Sequence, residues 1–493
     1  MNNLLALDIG TQSARAAVVS ETGEIIGISQ KKHDVDSPQP GWAQQRPEEW
    51  WQEICAAIRD VLAETGVSAE SIAAVASCGQ MHGPVGVDRE GKVTTEWVQL
   101  WCDKRCDAQV GAISENHDGE KLAKIAGSHA NPAWTGIKVR WHRDHEPQVY
   151  ELTEKFLVPK DFINFRLTGV AAGDPSEASG SFLWDCQSEG YSSELADAVG
   201  VDLDKFPPIH PSQAVIGKVT DAAAAASGLP SGVPVVAGGG DFPVSMLGFG
   251  IVGDGVTADV TGTSMLLATH SEKPLLDPAI QNLRHAVDGW IPFTILDCGG
   301  MSMKWCKDFV DAASGRDVSY DELIDMAEKA PVGSEGLLFY PYMLGERRSE
   351  NTTARGGYFG LSLNHSAPHF VRAVMEGVAL AIGKDVVQFR NLGHDVRQIF
   401  SVGGGTRNKL WNQIKADVFQ VPLELSDEPE AGLKGAALLA AAGVGLIEDP
   451  VATAVERRTS STTVHPDAKS GTEYEPVQAE FIRVYEHMLG FWK

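Results

Sequence analysis

Leu5–Val19 reads LALDIGTQSARAAVV, and half a chain later Thr257–Thr269 reads TADVTGTSMLLAT. Each is a short apolar strand carrying an acid, then a Gly-Thr turn, a serine and a second apolar strand. In the first copy GEIIGISQK follows as a third strand, so the chain opens as a hairpin series feeding a sheet. A repeat of this length predicts two similar domains, each presenting one Gly-Thr turn to a shared cleft. The second copy begins just after VVAGGGDFPVSMLGFG (Val235–Gly250). The division is therefore placed between residues 245 and 246, giving units 1–245 and 246–493.

The segments between the copies alternate in type. PEEWWQEICAAIRDVLAETG puts Trp51, Ile54, Ile58, Val61 and Leu62 on one helical face. Pro47 stands at its start and Gly66 just past its end, as helix termini prefer. SIAAVASCGQMHG reads as a buried strand running into a loop. This alternation predicts an α/β class. PHFVRAVMEGVALAIGKDVVQF, NKLWNQIKADVF and VQAEFIRVYEHMLGFW read as further helices. GLKGAALLAAAG is small and apolar, suited to close packing against a neighbour or a flat ligand.

A chain of 493 residues with 43% apolar residues can bury a sizeable core in two domains or more. The formal charge of −25 argues against nucleic acid as a partner, because phosphate backbones repel it. No apolar run is long enough to span a membrane, and the N-terminus lacks the pattern of a secretory leader. Seven scattered cysteines without zinc spacing are expected as free thiols in a reducing cytoplasm.

Four constellations could carry chemistry. The two turns, Gly10-Thr11 and Gly262-Thr263-Ser264, offer backbone N–H groups and hydroxyls in the concave array that binds phosphate oxygens, and Arg15 adds a fixed cation. SVGGGTRN (Ser401–Asn408) leads a strand through glycines into a helix, so a ligand can approach the backbone near a helix N-terminus. GQMHG (Gly79–Gly83) holds an amide, a thioether and an imidazole in one loop, able to line a pocket for a small polyol, with Trp101, Asp103 and Arg105 at a second strand end. In GGGDFP (Gly238–Pro243) the glycines either admit something close to the backbone or hold the Asp241 carboxylate still. That carboxylate could act as a general base on a hydroxyl. There is no dinucleotide fingerprint, Walker loop, GxSxG elbow, HExxH or paired CxxC, so oxidoreductase, acyl-transfer and zinc chemistry have no support.

Together these pieces resemble the FGGY family of carbohydrate kinases. GGYFGLSLNHSAPHFVRAVME (Gly356–Glu376) is similar to that family's C-terminal signature throughout, and FYPYMLGERR, LVPKDFINFRLTG and GDPSEASGSFLWD resemble further family segments. The resemblance implies two ribonuclease-H-like domains, of the actin type, around a central cleft, with sugar on the first and nucleotide on the second. It implies ATP as co-substrate with Mg²⁺. Gly10, Thr11, Gln12, Ser13 and Arg15 would form the first phosphate turn, and Gly262, Thr263 and Ser264 the second. Gly404, Gly405 and Asn408 would approach the nucleoside, Asp8 would orient hydrated Mg²⁺, and Asp241 would be the base.

Within the family the Gly79–Gly83 loop is similar to that of the xylulokinases. This implies D-xylulose as acceptor, contacted by Gln80, Met81, His82, Asp103, Asp241 and Phe242. The chain departs from that pattern at Phe242 and Cys102, where xylulokinases commonly carry Asn. Losing an amide removes a hydrogen-bond partner, so Phe242 is expected to offer the sugar an apolar wall. Ribulose, L-xylulose or a tetritol stay open as acceptors. A non-catalytic sugar sensor on the same fold and a homodimeric assembly also stay open.

Overall fold

The computed structural model describes residues 2–253, 255–346, 353–426, 428–459 and 462–492. Arg347 and Arg348, the end of the FYPYMLGERR segment, lie outside the described residues.

The first half is built on a six-stranded sheet. Its strands are β1 (Asn3–Ile9), β2 (Ser13–Ser20), β3 (Ile25–Lys32), β4 (Ile72–Gly79), β5 (Val215–Lys218) and β6 (Pro234–Gly240), in the order β5-β6-β4-β1-β2-β3. β1, β2 and β3 pair antiparallel, while β4 and β6 add in parallel on the other side of β1. The helices that matter for the site are α1 (Pro47–Thr65), α2 (Thr135–His145), α3 (Pro159–Thr168), α4 (Pro175–Ser179) and α5 (Asp241–Gly248). α1 buries Trp51, Ile54, Ile58 and Val61 as its periodicity predicts, and Gly66 closes it in the left-handed conformation.

The second half repeats this plan in a seven-stranded sheet: β7 (Val256–Thr261), β8 (Met265–Thr269), β9 (Gln281–Arg284), β10 (Trp290–Leu296), β11 (Gln398–Val402), β12 (Leu423–Leu425) and β13 (Thr462–Val464), in the order β9-β10-β8-β7-β11-β12-β13. Its directions from β10 to β13 run antiparallel, antiparallel, parallel, parallel, antiparallel, as in the first sheet. The repeated stretch is thus β1–turn–β2 in one half and β7–turn–β8 in the other. The main helices here are α6 (Gly300–Ser314), α7 (Ala367–Asn391), α8 (Lys409–Phe419), α9 (Ala431–Gly443) and α10 (Ala468–Leu489). α10 starts well before Val477 and runs through Pro476, because Asp467 caps its first turn and Tyr474 is buried there along with Phe481.

The acids in the two copies have different fates. Asp8 stands two residues before its turn glycine, and Asp259 stands three before. Strand side chains alternate faces, so this one-residue offset turns Asp259 away from the cleft. It is fully buried against Lys415 Nζ at 2.7 Å and the Ser401 hydroxyl at 2.6 Å.

The two halves are joined by a helix that crosses over. α9 packs its Leu433, Ala436, Leu439 and Ala440 onto Ala6, Ala74, Ala76 and Val236 of the first sheet. A side chain at Gly435 would fall on the Val244 carbonyl, and one at Gly248 on the Ala431 carbonyl. α5 and α9 therefore touch backbone to backbone, and the small residues of α9 serve a neighbouring helix. The division expected between residues 245 and 246 falls inside α5. No described helix is long and apolar enough to cross a membrane.

Candidate active site

Both Gly-Thr turns close on a serine carbonyl, three residues on in the first and two in the second. Gly10 N–H donates to the Ser13 carbonyl and Gly262 N–H to the Ser264 carbonyl, each at 2.9 Å. The second turn is braced from behind, since Gly300 N–H donates to the Gly262 carbonyl and Met301 N–H to the Thr263 carbonyl, both at 3.0 Å. Thr263 and Gln12 are exposed on the turns, and Ser13 is buried. Trp101, 41% exposed, donates its indole N–H to Thr11 Oγ1 at 3.1 Å. That hydroxyl then has its own proton free to donate elsewhere.

Asp8 and Arg15 pair across the hairpin. Arg15 Nε donates to Asp8 Oδ2 at 3.0 Å, Nη2 reaches the same oxygen, and Nη1 donates to Glu430 Oε2 at 2.6 Å. Arg15 thus bridges the first sheet to the residue that precedes α9. Asp8 Oδ1 is buried and has no partner. Glu430 was invisible as a site residue in the sequence, because it lies 415 residues from Arg15.

Asp241 is the first residue of α5, directly after β6, with no loop between strand and helix. Its Oδ1 accepts the Phe242 N–H at 2.7 Å. Burial, with the Asp8 charge nearby, pushes its pKa up to about 7, against the opposing pull of that hydrogen bond. The three preceding glycines are filled by protein. A Cβ at Gly238, whose φ is +70°, would fall on the Ser77 carbonyl. One at Gly239 would meet Ser176 Oγ at 2.9 Å, and one at Gly240 would meet Met81 Sδ at 2.7 Å. The stretch holds the carboxylate still by close packing rather than by leaving room for a ligand at the backbone.

The Gly79–Gly83 loop continues β4. Gln80 is buried and donates Nε2–H to Gln45 Oε1 at 2.9 Å, and Gln45 in turn donates to the Thr11 carbonyl at 2.8 Å. Met81 packs against Gly240. His82 takes a left-handed φ of 73° and lies edge-on to Trp134, with ring centroids 4.9 Å apart. Burial, helped by Lys138, drives its pKa well below the ordinary histidine value, so it is neutral, with one donor and one acceptor nitrogen. Lys138 on α2, which no sequence motif marks, fixes the loop from below: its Nζ donates to the Leu100 carbonyl at 2.7 Å and the His82 carbonyl at 3.4 Å.

Asp103 and Phe242, both expected at the sugar, also have partners within the protein. Asp103 is buried; it accepts from Arg105 Nε at 3.0 Å and Nη2 at 2.7 Å, and from the Ala43 N–H at 2.7 Å. Arg105 itself stacks over Trp42 at 3.7 Å. The rings of Phe242 and Phe293 of β10 meet edge to face with centroids 5.4 Å apart, so Phe242 bridges the two halves. In the third glycine stretch, Cβ atoms at Gly403 and Gly405 would run into Thr261, whereas Gly404 faces open space. Asn408 caps α8, accepting the Trp411 N–H at 3.0 Å.

Known proteins match this arrangement along its whole length. The model of the FGGY carbohydrate kinase N-terminal domain matches residues 3–248, and that of the C-terminal domain matches 258–444. The chain is 30% identical over 494 residues to the xylulose kinase of Escherichia coli K12, covering 98% of this chain and 99% of that protein. It is 29% identical over 526 residues to an autoinducer-2 kinase of Klebsiella pneumoniae, covering 99% and 95%. The crystal structure of xylulose kinase from Rhodospirillum rubrum superimposes with a TM-score of 0.94 at 28% identity, covering all of both chains. The chain belongs to the FGGY family of carbohydrate kinases and is a sugar kinase with ATP as co-substrate.

Proposed function

We propose that the protein transfers the γ-phosphoryl group of ATP to a terminal hydroxyl of D-xylulose, with Asp241 as general base. The carrying observation is the Asp241 carboxylate, locked at the junction of β6 and α5 beside Asp8, with a pKa of about 7. A base poised near the working pH accepts a hydroxyl proton most effectively. The hydroxyl oxygen forms its bond to phosphorus as the bond to the ADP oxygen breaks, and its proton passes to Asp241. The remaining work is positioning and charge stabilisation. Gly10–Ser13 and Gly262–Ser264 would hold phosphate oxygens, with Gly404, Gly405 and Asn408 alongside the nucleoside. Met81 and neutral His82 would receive the ketose.

Mg²⁺ suits this donor set. It typically takes one or two carboxylates and completes its shell with water and substrate phosphates. Asp8, with a buried unpartnered oxygen, would hold it, and no cluster of three or more metal-binding side chains stands among the described residues. When bound, the ion supplies charge neutralisation at the phosphates. Seven cysteines outside any disulfide suit a reducing cytoplasm.

A kinase assay across ketoses, tetritols, aldonates and autoinducer-2 tests the acceptor. D-xylulose is expected to give the highest kcat/KM. Another acceptor better by about tenfold, equivalent to ~1.4 kcal/mol of transition-state binding, refutes D-xylulose while leaving the phosphotransfer intact.

A further inference from the structure

β6 breaks its ladder just before Asp241. Val236 pairs with Ala76 and Gly239 with Cys78, so Ala237 and Gly238 together oppose Ser77 alone. Such a bulge leaves backbone groups without ladder partners and re-aims the strand end beyond it. The Ala237 and Gly238 N–H groups donate to the Ala214 and Ser212 carbonyls at 2.9 and 2.8 Å, and buried side chains take up the Ala237 carbonyl and the Gly240 N–H. Lys160 Nζ donates to the Ala237 carbonyl at 3.0 Å, and Asn164 Nδ2 donates to the same oxygen at 2.8 Å. The Gly240 N–H, one residue from the catalytic position, donates to Ser176 Oγ at 3.0 Å.

Ser176 is itself fixed. Its hydroxyl proton goes to Asp174 Oδ2 at 2.6 Å and its backbone N–H to the same oxygen at 2.9 Å. The other Asp174 oxygen lies 2.8 Å from Lys160 Nζ, which also meets Asp161 at 2.6 Å. Lys160, Asn164, Asp174 and Ser176 are all fully buried. A charged pair in such a place is held by its hydrogen bonds or not at all. The chain of contacts is closed: Lys160 to Asp174, Asp174 to Ser176, Ser176 to Gly240, and Lys160 back to Ala237.

We propose that Ser176, held by the Lys160–Asp174 pair, is a positioning residue that sets the Asp241 carboxylate through the Gly240 N–H. This rests on the reading of Asp241 as the base. Ser176 touches no reacting atom. Its lever is the strand end, where a misplacement of about 1 Å can lower turnover by about 10²-fold.

A matched control stands next to it. Ser212 Oγ donates to the same Asp174 oxygen at 3.0 Å, and Ser212 meets β6 only through its backbone carbonyl, which accepts the Gly238 N–H at 2.8 Å and is kept in Ser212→Ala. Ser176→Ala and Ser212→Ala each remove one buried hydroxyl from one carboxylate, so a merely structural role would affect both alike. The expected result is a fall in kcat of about 10–100-fold for Ser176→Ala, with KM for ATP and for ketose within about threefold. Ser212→Ala should keep kcat within about twofold despite a comparable loss in Tm. Equal falls in kcat for the two variants, or a Ser176→Ala kcat within about twofold of the parent, overturn the proposal. Should Ser176→Ala fail to fold, Ser176→Cys, with a weaker acceptor at the same place, carries the same comparison. Asp241→Asn measured beside them separates the two levels. If it retains parental turnover, the base assignment fails; if it is inactive while the serine variants match, only the positioning role fails.

Discussion

Gly238 and Gly240 are separated by one residue and should fail in different ways when replaced by alanine. At Gly238 the φ of +70° disfavours any L side chain, at about 1–2 kcal/mol. The added methyl also falls on the Ser77 carbonyl, a backbone atom in the centre of the first sheet. Overpacking of this kind adds about 1–3 kcal/mol. The sum, roughly 2–5 kcal/mol, is a large share of the 5–15 kcal/mol that typically holds a domain together. With an unfolding entropy of ~2.1 cal/mol/K per residue over a half of about 250 residues, Tm should drop by about 4–10 °C. Gly240 has no such strain, and the atoms nearest its methyl belong to the flexible Met81 side chain, with Sδ at 2.7 Å. Gly240→Ala should therefore move Tm by less than about 2 °C while displacing Met81, raising KM for the ketose several-fold with KM for ATP unchanged. Differential scanning calorimetry and steady-state kinetics on both variants read these effects. If Gly238→Ala keeps the parental Tm and instead loses substrate affinity, the glycines serve ligand approach and the packing account is wrong.

Three other outcomes rest on the same geometry. The acid limb of kcat/KM should fall near pH 7: the base must be ionised, its pKa is raised to about 7, and activity should drop about tenfold per pH unit below that and level off above it. An acid limb near pH 4 would contradict the raised pKa of Asp241. Asp103→Asn should destabilise by about 3–5 kcal/mol, because it leaves Arg105 buried without its carboxylate, while the folded fraction keeps its ketose KM; a large KM effect at unchanged Tm would mean that Asp103 acts on the sugar. Glu430→Gln should tighten ADP binding about two- to fivefold by calorimetry, since one of the two carboxylates on Arg15 is removed; weaker binding would mean that Glu430 helps to place the nucleotide.

The fold was legible because its signal is local. A strand, a Gly-Thr turn and a second strand recur within 15 residues, and the three-strand opening, α1 and its Gly66 cap could all be read from spacing and end residues. The one-residue offset that sends Asp259 into the core was also present in the sequence, yet its meaning depends on which face of β7 meets the cleft. The roles of the glycines were hidden for a different reason. The atoms that touch Gly238, Gly239 and Gly240 come from Ser77, Ser176 and Met81, residues brought there by β4 and α4. The same holds for Phe242, whose partner Phe293 lies in the other half, and for Glu430 against Arg15. A lysine or acid inside an apolar stretch, as in GIKVRW or PKDFIN, marks a buried polar network but does not name its partners.

The proposed phosphotransfer turns on Asp241 taking the acceptor proton. Asp241→Asn keeps the shape and removes the base, so the decisive measurement is its kcat with D-xylulose and ATP, taken together with sugar affinity by calorimetry. A loss in kcat of about 10²–10⁴-fold is expected, with ketose affinity within a few-fold of the parent. Turnover near the parental rate would contradict it.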